Sequence, residues 1–235
     1  MEPLDFTRSR ALNNVPVKKL QDKLSSIQEG TDSTEAKTVK LIAINRYAES
    51  NIPIEYWPLS MEKDFIGDPR LKQRYDEYVS DIKNSYITGS SLCFAGMHGL
   101  GKTMAATCIL KKAAQKGYFC LYTTLSDIVT VLTQASGEDK FLAGRELRLV
   151  DFLVIDEFDP RFMASENAAD LYARSLEGVF RTRSANKLPT LMCTNSPNVV
   201  ESFSGPLRAS IGSLMKGYMH IFPVLGDDIR KRGVK

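Results

Sequence analysis

The 235-residue sequence is poor in the features that announce a secreted, membrane-spanning or metal-stapled protein. Its four cysteines, Cys93, Cys108, Cys120 and Cys193, lie among apolar neighbours, with no C-x-x-C pair and no Cys/His cluster at metal-ligand spacing. This argues against a disulfide framework and a structural zinc site, and fits buried free thiols in a reducing cytoplasm. No run of about 18 apolar residues occurs. The N-terminus opens on acidic Glu2 and Asp5 without an apolar stretch, so neither a membrane span nor a secretory leader is expected. Excess charge is also scarce: a net charge of +3 permits contact with nucleic acid without arguing for it. Internal repeats and low-complexity tracts are lacking. What remains, 43% hydrophobic and 25% charged residues, is the composition of a soluble globular protein with room for one α/β domain and a short appendage.

Residues 1–37 are polar and include the linker-like stretch Glu29-Gly30-Thr31-Asp32-Ser33-Thr34, which marks an N-terminal arm. Within it Val17, Leu20, Leu24 and Ile27 recur at helical spacing, a stripe too small to fold alone and available either to a partner or to the chain's own core. Residues 38–89 read as a helical lead-in with a loop over 51–67, and Asp68-Pro69 opens a helix whose apolar face runs through Leu71, Tyr75, Tyr78, Val79 and Ile82. From residue 90 to 235, short apolar runs alternate with longer helical stretches, the pattern of βαβ units around a parallel sheet. Strands are expected at 91–95, 118–123, 152–155, 190–194 and 220–224, and helices at 102–116, 125–134, 167–181 and 207–216.

The segment Gly96-Met97-His98-Gly99-Leu100-Gly101-Lys102-Thr103 matches G-x-x-x-x-G-K-[ST], with an apolar strand before it and an alanine-rich helix from Met104 after it. Such glycines let backbone N–H groups turn inward around phosphate oxygens, and the helix adds its positive end. Lys102 is expected to reach the β and γ phosphates of ATP and Thr103 to ligate Mg²⁺, while His98 belongs to the loop without chemistry of its own. A second apolar run, 149–155, ends in Asp156-Glu157. Beside a phosphate loop, the first acid suits the Mg²⁺ shell and the second suits general-base work on the attacking water. A third strand ends in Asn195, whose amide can position that water or the γ-phosphate, or simply cap the turn into Ser196-Pro197.

With these residues in order, Leu153-Val154-Ile155-Asp156-Glu157 and Cys193-Thr194-Asn195-Ser196 resemble the Walker B and sensor 1 motifs of the DnaC-type helicase loaders and IstB-type transposition helpers, over roughly residues 51–235. The resemblance implies a P-loop AAA+ ATPase core of ASCE strand order, a five-stranded parallel sheet flanked by helices with a short helical arm. It also implies self-association through the ATP interfaces. Asn51-Ile52-Pro53 and Tyr56-Trp57 are similar to the family's segment near the adenine. Asp227-Asp228-Ile229-Arg230 is similar to its terminal element, making Arg230 either a γ-phosphate sensor or a surface arginine of the basic tail. Family members carry two arginines in the helix after sensor 1. Here Arg208 stands without the second, and is the candidate finger for a neighbour's ATP. The implied partners are a replicative DNA helicase and single-stranded DNA. Lys140, Arg145 and Arg148, in the segment after the second strand, read first as a solvated charged face. The transposition helper shares the same core. A GTPase is disfavoured because Asn186-Lys187-Leu188-Pro189 lacks the guanine-reading aspartate, and a small-molecule kinase because no acceptor pocket can be identified.

Overall fold

In the computed structural model, residues 12, 15–159, 166–202 and 205–228 are described. Strands β1 (Ser91–Ala95), β2 (Cys120–Thr124), β3 (Phe152–Asp156), β4 (Thr190–Thr194) and β5 (Met219–Pro223) pair in parallel in the order β2-β3-β4-β1-β5. This is the expected ASCE sheet, with β4 between β1 and β3. The two-residue period of a strand sends alternate side chains to opposite faces, and here both faces are buried. Leu92, Phe94, Cys120, Tyr122, Phe152, Val154, Leu191 and Cys193 enter one core. Cys93, Leu121, Leu153, Ile155 and Met192 enter the other.

Helix α5 (Lys102–Gln115) lies on the first face with α2 (Thr34–Glu49), α3 (Pro69–Ser80) and α4 (Ile82–Thr88). The second face is covered by α6 (Leu125–Gln134), α7 (Gly137–Leu149), α8 (Glu166–Ala185) and α9 (Gly205–Tyr218). Alanines predominate on the inner face of α5, so the helix approaches the sheet closely, with Ala105, Ala106, Ala113 and Ala114 at most 1% exposed. The four cysteines are free and buried.

Several boundaries differ from expectation for identifiable reasons. The helix opened by Asp68, whose side chain caps the Arg70 amide, does not run on to Ile82. Asp81 leaves helical geometry at φ −133°, ψ 64° and caps a new helix by accepting from the Asn84 amide. Helix α7 had no counterpart in the sequence reading because its buried face is made of Ala143, Gly144, Glu146 and Leu147, a weak apolar signal. Helix α8 runs four residues past the expected Arg181, to Ala185, which brings Arg183 into the core.

The arm carries α1 (Val17–Glu29), which lies along α2. Leu20, Leu24 and Ile27 are half-buried, whereas Val17 is exposed. Leu12 is 2% exposed inside the second core, and Val15 and Leu20 pack against the first. Among the described residues no helix is long and apolar enough to cross a membrane.

Candidate functional site

The carboxyl ends of β1, β3 and β4 meet the first turn of α5 around a cavity of about 450 Å³. His98, Gly99, Leu100, Gly101, Lys102, Thr103 and Met104 line it from one side, and Asp156, Glu157, Cys193 and Asn195 from the sheet. The loop bends through Gly99 and Gly101 at φ +73° and +81°, where any other residue would be strained. A Cβ on Gly99 would also fall 1.8 Å from an Asp228 carboxylate oxygen, and one on Gly101 2.5 Å from the Phe65 ring. Conformation therefore fixes both glycines, whereas the side chains of Asp228 and Phe65 could move aside.

Lys102, 6% exposed, folds back over the loop. Its ammonium donates to Gly96 O at 2.8 Å, Met97 O at 2.6 Å and Asn195 Oδ1 at 3.0 Å. Asp156 is equally buried, and its Oδ1 accepts from the Glu157 amide at 2.8 Å while Oδ2 accepts from the Tyr122 hydroxyl at 2.8 Å. Both donors are uncharged. Glu157 adopts φ +50°, a left-handed conformation that a non-glycine residue holds only under constraint, and this turns it toward the cavity. Burial, reinforced by Asp156 and Asp127, holds its carboxyl above the usual glutamate range.

The expected site residues thus converge, with three qualifications. Met97 is 71% exposed and contributes only its carbonyl to Lys102. Arg208 stands exposed on α9 and is not among the residues lining the cavity. Arg230 lies outside the described residues. Of the segment expected beside the base, Tyr56 reaches the cavity, but Asn51 and Trp57 do not. The Trp57 indole donates to Ile52 O in the core, and the Asn51 amide donates to Tyr122 O.

Sequence reasoning missed Glu55, Leu59, Tyr122 and Cys193 in the lining. The loop bearing Glu55, Tyr56 and Leu59 is clamped to α5 by Lys111, whose buried ammonium donates to Tyr56 O at 2.7 Å, Trp57 O at 3.3 Å and, most closely, Leu59 O. Its acceptors are backbone carbonyls, and desolvation lowers the lysine's pKa. Tyr122 and Cys193 were legible in principle. Counting by twos along β2 and β4 puts both on the α5 face, beside Asp156.

A second cavity, of about 340 Å³, shares Leu100 with the loop and is bounded by Ile66, Gly67, Pro69 and Leu225.

No protein-family profile matches the sequence, and no curated protein is significantly similar to it. Solved structures do share its fold. DnaI superposes with a TM-score of 0.60 at 16% identity, over 74% of this chain and 95% of that one. The DnaC helicase loader does so with 0.57 at 18%, over 74% of this chain and 100% of that one. A DnaA initiator bound to AMPPCP and single-stranded DNA gives 0.58 at 16%, over 75% of this chain and 51% of that one. The chain therefore shares the fold of these proteins.

Proposed function

We propose that this chain binds ATP with Mg²⁺ in the cavity at the carboxyl edge of the sheet, hydrolyses it, and uses the cycle to deliver a replicative helicase to single-stranded DNA. The observation that carries the nucleotide part is Lys102, a buried ammonium that lines the cavity and is held by Gly96 O, Met97 O and Asn195 Oδ1. Neutral carbonyls are weaker partners for a desolvated charge than phosphate oxygens, so a polyphosphate displaces them and takes the lysine. The loop amides supply further donors, and the N-terminus of α5 favours the anion.

Among the described residues, no three His, Cys, Asp or Glu side chains cluster at metal-ligand spacing. Mg²⁺ needs no such cage, since it keeps several waters and takes phosphates as ligands, and the Thr103 hydroxyl with Asp156 fits it. When bound, Mg²⁺ neutralises charge on the β and γ oxygens. Glu157 accepts the proton of the attacking water, and Asn195, already against Lys102, positions the γ-phosphate end. The base can take either the neighbouring cavity at Leu100 or the side of the phosphate cavity lined by Tyr56. Exposed Arg208 is suited to a neighbour's ATP in a self-associated form, and Arg230 is retained as a candidate sensor.

The loaders and the initiator that share the fold support the replication role. Single-stranded DNA has a plausible platform on α7, where Phe141 is 69% exposed beside Lys140 and Arg145, an aromatic face flanked by cations. The nucleotide reading is tested with a fluorescent ATP analogue: wild type binds it and Lys102→Ala does not. Equal binding by the two would remove the site. A transposase, rather than a helicase, retained by the full chain would install the transposition-helper reading instead.

A further inference from the structure

Tyr122 lies on β2, with β3 and β4 between it and the strand that leads into the phosphate loop, and belongs to none of the motifs that define the site. Its hydroxyl nevertheless donates to Asp156 Oδ2 at 2.8 Å in a buried contact. The register explains how. Tyr122 pairs with Val154, so Asp156 stands two residues further along β3 on the same face, within diagonal reach of a long side chain.

The tyrosine is itself fixed at both backbone groups. Its amide donates to Ser50 O at 2.8 Å, and its carbonyl accepts from Asn51 Nδ2 at 3.0 Å. Asn51 makes that bond from a left-handed conformation at φ +54° while only 6% exposed, a strained position that the turn maintains. The 50–51 turn therefore covers the outer edge of the sheet and locks the ring that reaches Asp156.

We propose that Tyr122 is a positioning residue that orients the Asp156 carboxylate for Mg²⁺. The inference rests on the nucleotide reading above. With Oδ1 held by the Glu157 amide and Oδ2 by Tyr122, both oxygens of the carboxylate are tethered in the wall of the cavity. Hydrogen-bond partners of this kind orient metal ligands, and their loss typically weakens metal binding about 10–100-fold.

The test is a Mg²⁺ titration of fluorescent-ATP-analogue binding by the full chain, comparing wild type with Tyr122→Phe, which deletes only the hydroxyl. Tyr86→Phe is the matched control. Its hydroxyl makes a similar bond, 3.0 Å to Asp151 Oδ1, at the opposite end of β3. Tyr122→Phe is expected to need about tenfold more Mg²⁺ for half-maximal effect, to bind the analogue in EDTA as wild type does, and to differ in this from Tyr86→Phe. Superimposable Mg²⁺ curves for wild type and Tyr122→Phe would overturn the inference. So would equal weakening with and without Mg²⁺, which would make Tyr122 a general support of the site. A wild type that bound no nucleotide, or bound it without regard to Mg²⁺, would overturn the nucleotide reading and this inference together.

Discussion

The two ends of one sheet each bury a cation, and the cations are held differently. At the carboxyl edge Lys102 itself lines an open cavity, and of its three acceptors Asn195 Oδ1 belongs to the cavity wall. At the amino edge Arg183, with no exposed surface, is saturated. It donates to Thr190 Oγ1 at 2.9 Å and to the carbonyls of Leu147 at 3.2 Å, Val150 at 2.8 Å, Asp151 at 3.4 Å and Pro189 at 2.7 Å. The planar five-donor fork of arginine suits a fixed ring of acceptors, whereas the compact ammonium of lysine can trade one set of oxygens for another. Arg183 ties the end of α7 and the starts of β3 and β4 together with nothing left to offer a ligand. Desolvation lowers its pKa to about 10, which still leaves it charged at neutral pH. Burial of a cation thus does not by itself mark function. The criterion is whether the cation itself lines a cavity.

If this division holds, substitutions at the carboxyl edge change chemistry and those at the amino edge change stability. The largest expected effect is on the chemical step. Glu157→Gln should bind ATP and lower turnover by about 10²–10⁴, the usual cost of losing a general base. Steady-state hydrolysis measures this, and turnover within about threefold of wild type would contradict the role. The pH profile sharpens the point. The base acts only when ionised, and its carboxyl is held above the usual glutamate range, so the acid limb of wild-type hydrolysis lies at higher pH than an ordinary glutamate would give. Glu157→Gln should lack that limb.

Next in size, Arg183→Met leaves a ring of carbonyls without their donor and should lower unfolding free energy by about 3–5 kcal/mol in urea titrations. Nucleotide affinity of the folded protein should stay within about twofold, because the two sites share no partner. A variant that kept its stability but lost nucleotide would break the comparison.

Most of this architecture could be read in the residues. The phosphate loop and the Asp156-Glu157 pair follow from local spacing, and the strands at β1 and β4 fall where the apolar runs put them. What escaped depends on long-range placement. Arg183 and Lys111 look like surface cations on helices, and only the packed structure shows their acceptors lying 33 to 36 and 52 to 55 residues away, respectively, for the bonds to Leu147, Val150, Tyr56, Trp57 and Leu59. Tyr122 reads as one more aromatic in a strand until strand register brings it to Asp156. Helix α7 was hidden by a buried face of small and charged residues, which carries little periodicity.

The arm tests whether the division between edges is complete. Val15, Pro16 and Lys19 border a cavity of about 410 Å³ together with Asn51, Glu55 and Tyr122, so the arm lies against the same elements that support Asp156. Deleting residues 1–32 would keep Ser33, which caps α2 by accepting from the Ala36 amide. It would remove fully buried Leu12 and the half-buried Leu20, Leu24 and Ile27. At about 1.5–3 kcal/mol for a fully buried leucine and a fraction of that for the others, the truncated chain should be less stable by about 2–4 kcal/mol. A docking role, one of the two open to the arm's apolar stripe, adds that helicase capture disappears while nucleotide binding persists. Chemical denaturation and a helicase pull-down on the same truncated protein separate the possibilities. Unchanged stability with lost capture would make the arm a docking element independent of the core. Lost stability with capture retained would make it part of the fold and move the helicase contact elsewhere. Loss of both would mean that the arm packs on the core through Leu12 and its half-buried stripe, while offering its exposed side, including Val17, to the partner.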